Sequence, residues 1–236
     1  MLRQDGLEER IRALGLGAPV TIRVSPKARR LALRVDAAKR GIELVLPRRF
    51  SAEVALSFVS SHRGWIAARI AAMPPPRQLG DGASVPVFGV PHRIRRELDP
   101  KAPLVAIADG EIRVRGDPAH LPRRVRDHLT ALAKRDFATR ARVTAGRIGK
   151  SVTRVGVRDP KSRWGSCSSK GALSFSWRLV FAPEAVIDYV VAHEVAHLVE
   201  MNHGPRFWRL VASLVPDIDK PRAWLRRHRL ELLAYA

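Results

Sequence analysis

The chain has a single cysteine, Cys167, so no disulfide can form within it and a zinc cage of several thiolates is excluded. A metal site here has to draw on histidine and carboxylate. No run approaches the ~20 consecutive apolar residues of a membrane span. The opening MLRQDGLEER lacks the apolar core of a signal peptide, and with the lone cysteine this leads us to expect a cytoplasmic protein with no membrane partner. Acidic residues are few, 22 against 43 Lys and Arg, for a net charge of +21, and lysine is few as well, 8 against 35 Arg. No internal repeat is present. What is there, 46% hydrophobic and 28% charged residues over 236 positions, suits a folded globular chain of one large or two small domains.

The positive excess lies mainly upstream: residues 1–150 hold 30 basic and 14 acidic side chains, and 151–236 hold 13 and 8. The basic residues are scattered as pairs such as Arg29-Arg30, Arg48-Arg49, Arg123-Arg124 and Arg226-Arg227 rather than gathered in one block. The field favours polyanions, so nucleic acid is a possible partner, although solvated arginine faces account for the same composition.

An α+β chain in three segments is expected. In 1–76, VTIRV (20–24), LALRV (31–35) and IELVL (42–46) read as three antiparallel strands. Ser51 then caps a helix whose apolar residues are Val54, Phe58, Trp65, Ile66 and Ile70, stopped by Pro74-Pro75-Pro76. In 77–150, strands at 85–88, 104–107 and 112–114 precede a helix from Pro122 to about Val143, with Val125, Leu129, Leu132 and Phe137 on one face. In 151–236, strands at 152–157, 164–168 and 172–179 lead to a helix over 183–200, a second after Gly204-Pro205 and a last one after Pro221.

The third segment carries the chemistry. His193-Glu194-Val195-Ala196-His197 is HExxH, and on a helix two histidines four apart project one turn apart from nearly the same face, so both can hold one metal ion. Glu194 then lies close enough to reach a water at the metal without being a ligand. Random placement of this composition gives HExxH roughly once in a hundred chains. His203, six residues after His197 and beyond the expected helix end, is the third candidate ligand. Three imidazoles without a thiolate suit one Zn²⁺, while Co²⁺, Ni²⁺ and Mn²⁺ fit the same donors. Glu231 is the only glutamate after Glu200, which disfavours a later carboxylate ligand.

Arg163-Trp164-Gly165-Ser166-Cys167-Ser168, followed by a strand and then HEVAHLVEMNHGPRFW, closely resembles the YgjP-like metallopeptidases, relatives of the SprT-like zinc proteases. The upstream Trp65 helix and Phe88-Gly89-Val90-Pro91-His92-Arg93-Ile94 are similar to that family too, extending the resemblance over about 15–232. The metzincins share the His197-to-His203 spacing, but they need glycine where Glu200 stands and a later Met turn, and no methionine follows Met201. The resemblance implies a zincin-like catalytic domain with the HExxH helix on a short twisted sheet. It implies His193, His197 and His203 as ligands and Glu194 as catalytic acid and base. It also puts the 163–168 strand beside that helix, so Arg163, Trp164, Gly165, Ser166 and Cys167 are expected along the substrate cleft.

The function expected is zinc-dependent hydrolysis of peptide or protein substrates, with Glu194 taking a proton from the attacking water. Arg163, Tyr189, Arg206 and Tyr235 have the chemistry of an oxyanion donor, and spacing selects none of them. The alternative is a nucleic-acid-associated protein or DNA-linked protease using the basic surface. A metal-stabilised adaptor is the third reading, and an intact Glu194 argues against it.

Overall fold

A computed structural model describes residues 4–36, 40–160 and 162–235. Among these residues it is a mixed α+β protein with three small sheets and seven α-helices. No helix in it is long and apolar enough to cross a membrane. The chain divides into two compact units, Met1–Pro76 and Arg77–Ala236.

The first unit contains α1 (Gln4–Arg12), β1 (Val20–Val24), β2 (Ala32–Asp36), β3 (Gly41–Leu46), α2 (Ala52–Ser61) and α3 (Arg63–Ala71). Its strands depart from the all-antiparallel expectation: the order is β1-β3-β2, with β3 parallel to β1 and antiparallel to β2. The reason is hydrophobicity. Ile42, Leu44, Val45 and Leu46 of β3 are all buried, so this strand takes the centre, while β1 and β2 flank it. The helix expected after Ser51 forms, with Val54 N–H donating to Ser51 Oγ at 3.4 Å, but it breaks at His62 into α2 and α3. Its buried stripe is Ala52, Ala55, Val59 and Ile66, whereas Val54 is 59% exposed and Trp65 38% exposed, a shift of face relative to the sequence expectation. Leu7 and Ile11, four apart on α1, complete this core.

The second unit begins with β4 (Ser84–Val87), β5 (Val90–Glu97), β6 (Val105–Ala108) and β7 (Glu111–Arg115), ordered β4-β5-β7-β6. Strand β5 is absent from the sequence reading because Pro91 and three arginines hide it, and Ile94 is its one buried residue. Asp109 and Gly110 both adopt positive φ, 53° and 72°, the signature of a two-residue hairpin turn between β6 and β7. Helix α4 (Leu121–Gly146) buries Leu121, Val125, Leu129, Ala133, Phe137, Ala141 and Ala145, every fourth residue along its length. The second sheet of this unit, β8 (Arg154–Arg158), β9 (Gly165–Cys167) and β10 (Ala172–Ser176), has the order β8-β10-β9 and leaves β9 at an edge. Residues 177–179, expected as strand, form part of a 3-10 turn, Trp177–Phe181.

Three helices follow: α5 (Glu184–Ala196), α6 (Pro205–Leu214) and α7 (Asp219–Leu233). Helix α5 stops at Ala196, short of the expected Glu200, with His197 as its C-cap. One continuous core joins both sheets of this unit, the α4 stripe and α5–α7. Gly89, at φ +83°, lies so close to Pro183 at the head of α5 that an added Cβ would come within 2.9 Å of Pro183 Cα. Arg140 of α4 donates to Asp188 of α5 at 2.7 Å, so α5 is anchored from two directions.

Candidate metal centre

Burial of one helix face and a tight turn after it bring three histidines together. Helix α5 is apolar on nearly all sides, with Val186, Ile187, Val190, Val191 and Val195 buried, so its two histidines are drawn inward with it. His203 arrives from the turn between α5 and α6. One ligand nitrogen from each of His193, His197 and His203 lies within 4.8 Å of the others, a group that could hold a metal ion. Phe207, fully buried on α6, forms the base of the cluster, its ring centroid 4.9, 4.7 and 4.6 Å from those of His193, His197 and His203.

The protonation chemistry fits a cation. Burial, then the neighbouring His197, His203 and Arg222, push the His193 pKa down to about 4, and burial lowers that of His197, so both rings are neutral at pH 7. His197 Nδ1 lies 3.0 Å from the Glu200 carbonyl, which can only accept, so Nδ1 carries the proton and Nε2 keeps its lone pair. His193 Nε2 and His203 Nε2 are 3.1 Å apart, near the roughly 3.3 Å expected for two nitrogens on one tetrahedral ion with bonds of about 2.0–2.1 Å. The donor set therefore suits a divalent ion.

Glu194, the next residue along α5, is 5% exposed. Its carboxylate rests on the backbone of Gly165 in β9, where an added Cβ would sit 2.5 Å from both Cγ and Oε1 of Glu194. Burial raises its pKa to about 7, with Arg163 acting in the opposite direction. His193 and Glu194 line a cavity of about 420 Å³ together with Trp164, Gly165 and Tyr189. Burial also raises the Tyr189 phenol, which stays protonated and able to donate.

Of the residues expected along a cleft, Arg163, Trp164 and Gly165 line this cavity. Ser166 and Cys167 line a neighbouring groove over the β8-β10-β9 sheet, which Arg163 and Gly165 also border. The Cys167 thiol is raised by burial and by Glu194, and donates to the Ser168 carbonyl at 3.3 Å. Tyr235 lies elsewhere: it stacks on Phe181 at 3.8 Å and its hydroxyl accepts from Arg77. Arg206 is exposed on α6 and does not line the cavity. Sequence reasoning missed the contribution of α7, whose Arg222, Arg226 and Arg229 line the cavity. Their spacing of four and three residues was the available signal.

No curated protein and no solved structure is similar enough to the chain to be matched with it. A family model described as YgjP-like, metallopeptidase domain, matches residues 29–228, which is most of the sequence and includes both the 163–168 segment and the histidine cluster. The chain belongs to the YgjP-like metallopeptidase family.

Proposed function

We propose that the protein is a zinc-dependent peptidase of zincin type, with His193, His197 and His203 as metal ligands and Glu194 as general base. The observation that carries this reading is the convergence of three imidazole nitrogens, one of them from His193, which shares a cavity with the buried Glu194 carboxylate. The β8-β10-β9 sheet next to α5 supports the zincin arrangement. Neutral nitrogen donors without thiolate favour zinc, and the single cysteine favours a reducing, cytoplasmic setting.

Bound to the three histidines, the ion supplies polarisation of the scissile carbonyl and acidification of a water. Glu194, with a proton affinity near neutrality, takes a proton from the attacking water as its oxygen bonds to the carbonyl carbon. It then delivers that proton to the leaving amine as the C–N bond breaks. Gly165 leaves the space that Glu194 occupies, and Arg163 supports its ionised form. Of the four oxyanion-donor candidates read from the sequence, Tyr189 and Arg163 are the two that line the cavity.

The test is metal content by mass spectrometry together with peptide turnover, on tag-free wild type, His203→Ala and Glu194→Gln. About one zinc per chain is expected in wild type and Glu194→Gln and markedly less in His203→Ala. Glu194→Gln should lose at least about 10²-fold in kcat. Undiminished turnover by Glu194→Gln, or a folded wild type that holds no metal after exposure to excess zinc, would overturn the assignment.

A further inference from the structure

The cavity that holds His193 and Glu194 is strongly cationic on one wall. Arg222, Arg226 and Arg229 follow one another along α7 and all line it, while Arg163 lines it from the β9 side. Glu194 is the only acidic residue among the lining side chains. Like charges three or four apart on a helix repel each other, so such a row has a cost that a bound anion removes. At two of its members the protein removes little of that cost: among the described residues Arg226 has no carboxylate within salt-bridge distance, and the one carboxylate that Arg222 reaches is Asp219, at 3.9 Å. The Arg222 guanidinium is held over the Trp208 ring at 4.9 Å, and Trp208 in turn lies beside His203. This contact sets Arg222 next to the histidine cluster, with half of its side chain still open to solvent. Between the charges, Val190, Leu225 and Trp164 supply apolar wall. A cavity of about 420 Å³ with this mixed lining is the size of a site for a short segment of chain.

Resting on the peptidase reading above, we propose that the arginine face of α7 selects peptides that place a carboxylate beside the scissile bond. The carboxylate is either an Asp or Glu side chain or the chain terminus. Arginine is suited to this, because its planar fork meets a carboxylate with two parallel hydrogen bonds. A neutral peptide would bring no counter-charge into a cavity that already carries four guanidiniums.

Binding decides the matter without turnover. Labelled hexapeptides with a central Glu or Gln, each with a free or amidated C-terminus, are titrated against zinc-loaded Glu194→Gln protein by fluorescence anisotropy. At least a tenfold tighter Kd is expected for the carboxylate-bearing peptides, weakening as salt is raised. Preference for central Glu identifies a side-chain carboxylate, and preference for the free terminus identifies the chain end. Equal affinity for all four peptides overturns the proposal. Adding Arg222→Gln and Arg226→Gln should abolish the discrimination, while Lys at both positions should retain part of it. Discrimination that survives the Gln pair in a protein of native circular dichroism overturns the assignment to α7. If the pair does not fold, Arg226→Gln alone, at an exposed position, is read the same way. Wild-type turnover separates this inference from the peptidase reading. Cleavage of acidic and neutral peptides with equal binding retains hydrolysis and discards selection. Selective binding with no cleavage of any peptide does the reverse.

Discussion

Gly165 acts through the side chain it does not have. Glu194 occupies the space where a Cβ would stand, 2.5 Å from its Cγ and Oε1, so any larger residue must move the carboxylate or the strand. Because β9 is paired with β10 through Gly165 and Phe175, the side chain is the part that yields. Gly165→Ala is therefore expected to keep the metal and the fold and to lower kcat by about 10²-fold, the order of effect for a displacement near 1 Å at a reacting group. Metal analysis and steady-state kinetics on the same preparation check this, and a fully active variant with unchanged metal content would refute the proposed place of Glu194. The histidine pair was legible in the sequence because helix geometry relates residues four apart. The contact of Gly165 with Glu194 was not, since it joins residues 29 positions apart that only the tertiary fold brings together. The motif around Gly165 marked the segment without giving the reason.

Helices and strands were legible in proportion to how far local pattern alone decides them. The α4 stripe repeats every four residues and announces its own helix, and the positive-φ pair Asp109-Gly110 announces its turn. Strand β5 was hidden by proline and arginine, and the parallel pairing of β1 with β3 depends on which strand the whole unit buries. Helix α6 shows how such packing serves the site. It buries Phe207, Val211 and Leu214 on one side, and the first of these carries the three imidazole rings. Phe207→Ala should cost about 3–5 kcal/mol of stability. It should also weaken metal binding by about 10–100-fold, the order of loss when groups supporting metal ligands are removed. Thermal unfolding and competitive chelator titration measure the two effects, and loss of stability with unchanged metal affinity would show that the rings hold their places without Phe207.

At the scale of the whole molecule, two adjacent groups set opposing dependences of stability on pH. His193 falls from its ordinary pKa near 6.5 to about 4 on folding, so between these values the unfolded chain takes a proton that the folded one refuses. Its contribution makes the metal-free protein less stable as pH drops from 6.5 to 4. Glu194 rises from 4.5 to about 7, so between those values the folded protein holds a proton that the unfolded chain releases. Its contribution makes the protein more stable as pH drops from 7 to 4.5. Over pH 6.5 to 4.5 the two slopes offset one another. Glu194→Gln leaves the histidine slope uncompensated, and His197, whose pKa is also lowered by burial, adds to it. In EDTA, the Tm of Glu194→Gln should therefore fall more steeply than that of wild type as the pH is lowered through this window. The separation should reach several degrees, at roughly 2–4 °C per kcal/mol for a chain of this size. At pH 8 the variant should be the more stable of the two, because it no longer buries an ionised carboxylate. Every other titrating group is common to both proteins and cancels in the comparison, so parallel melting profiles would mean that Glu194 is not buried as a neutral acid in the metal-free state.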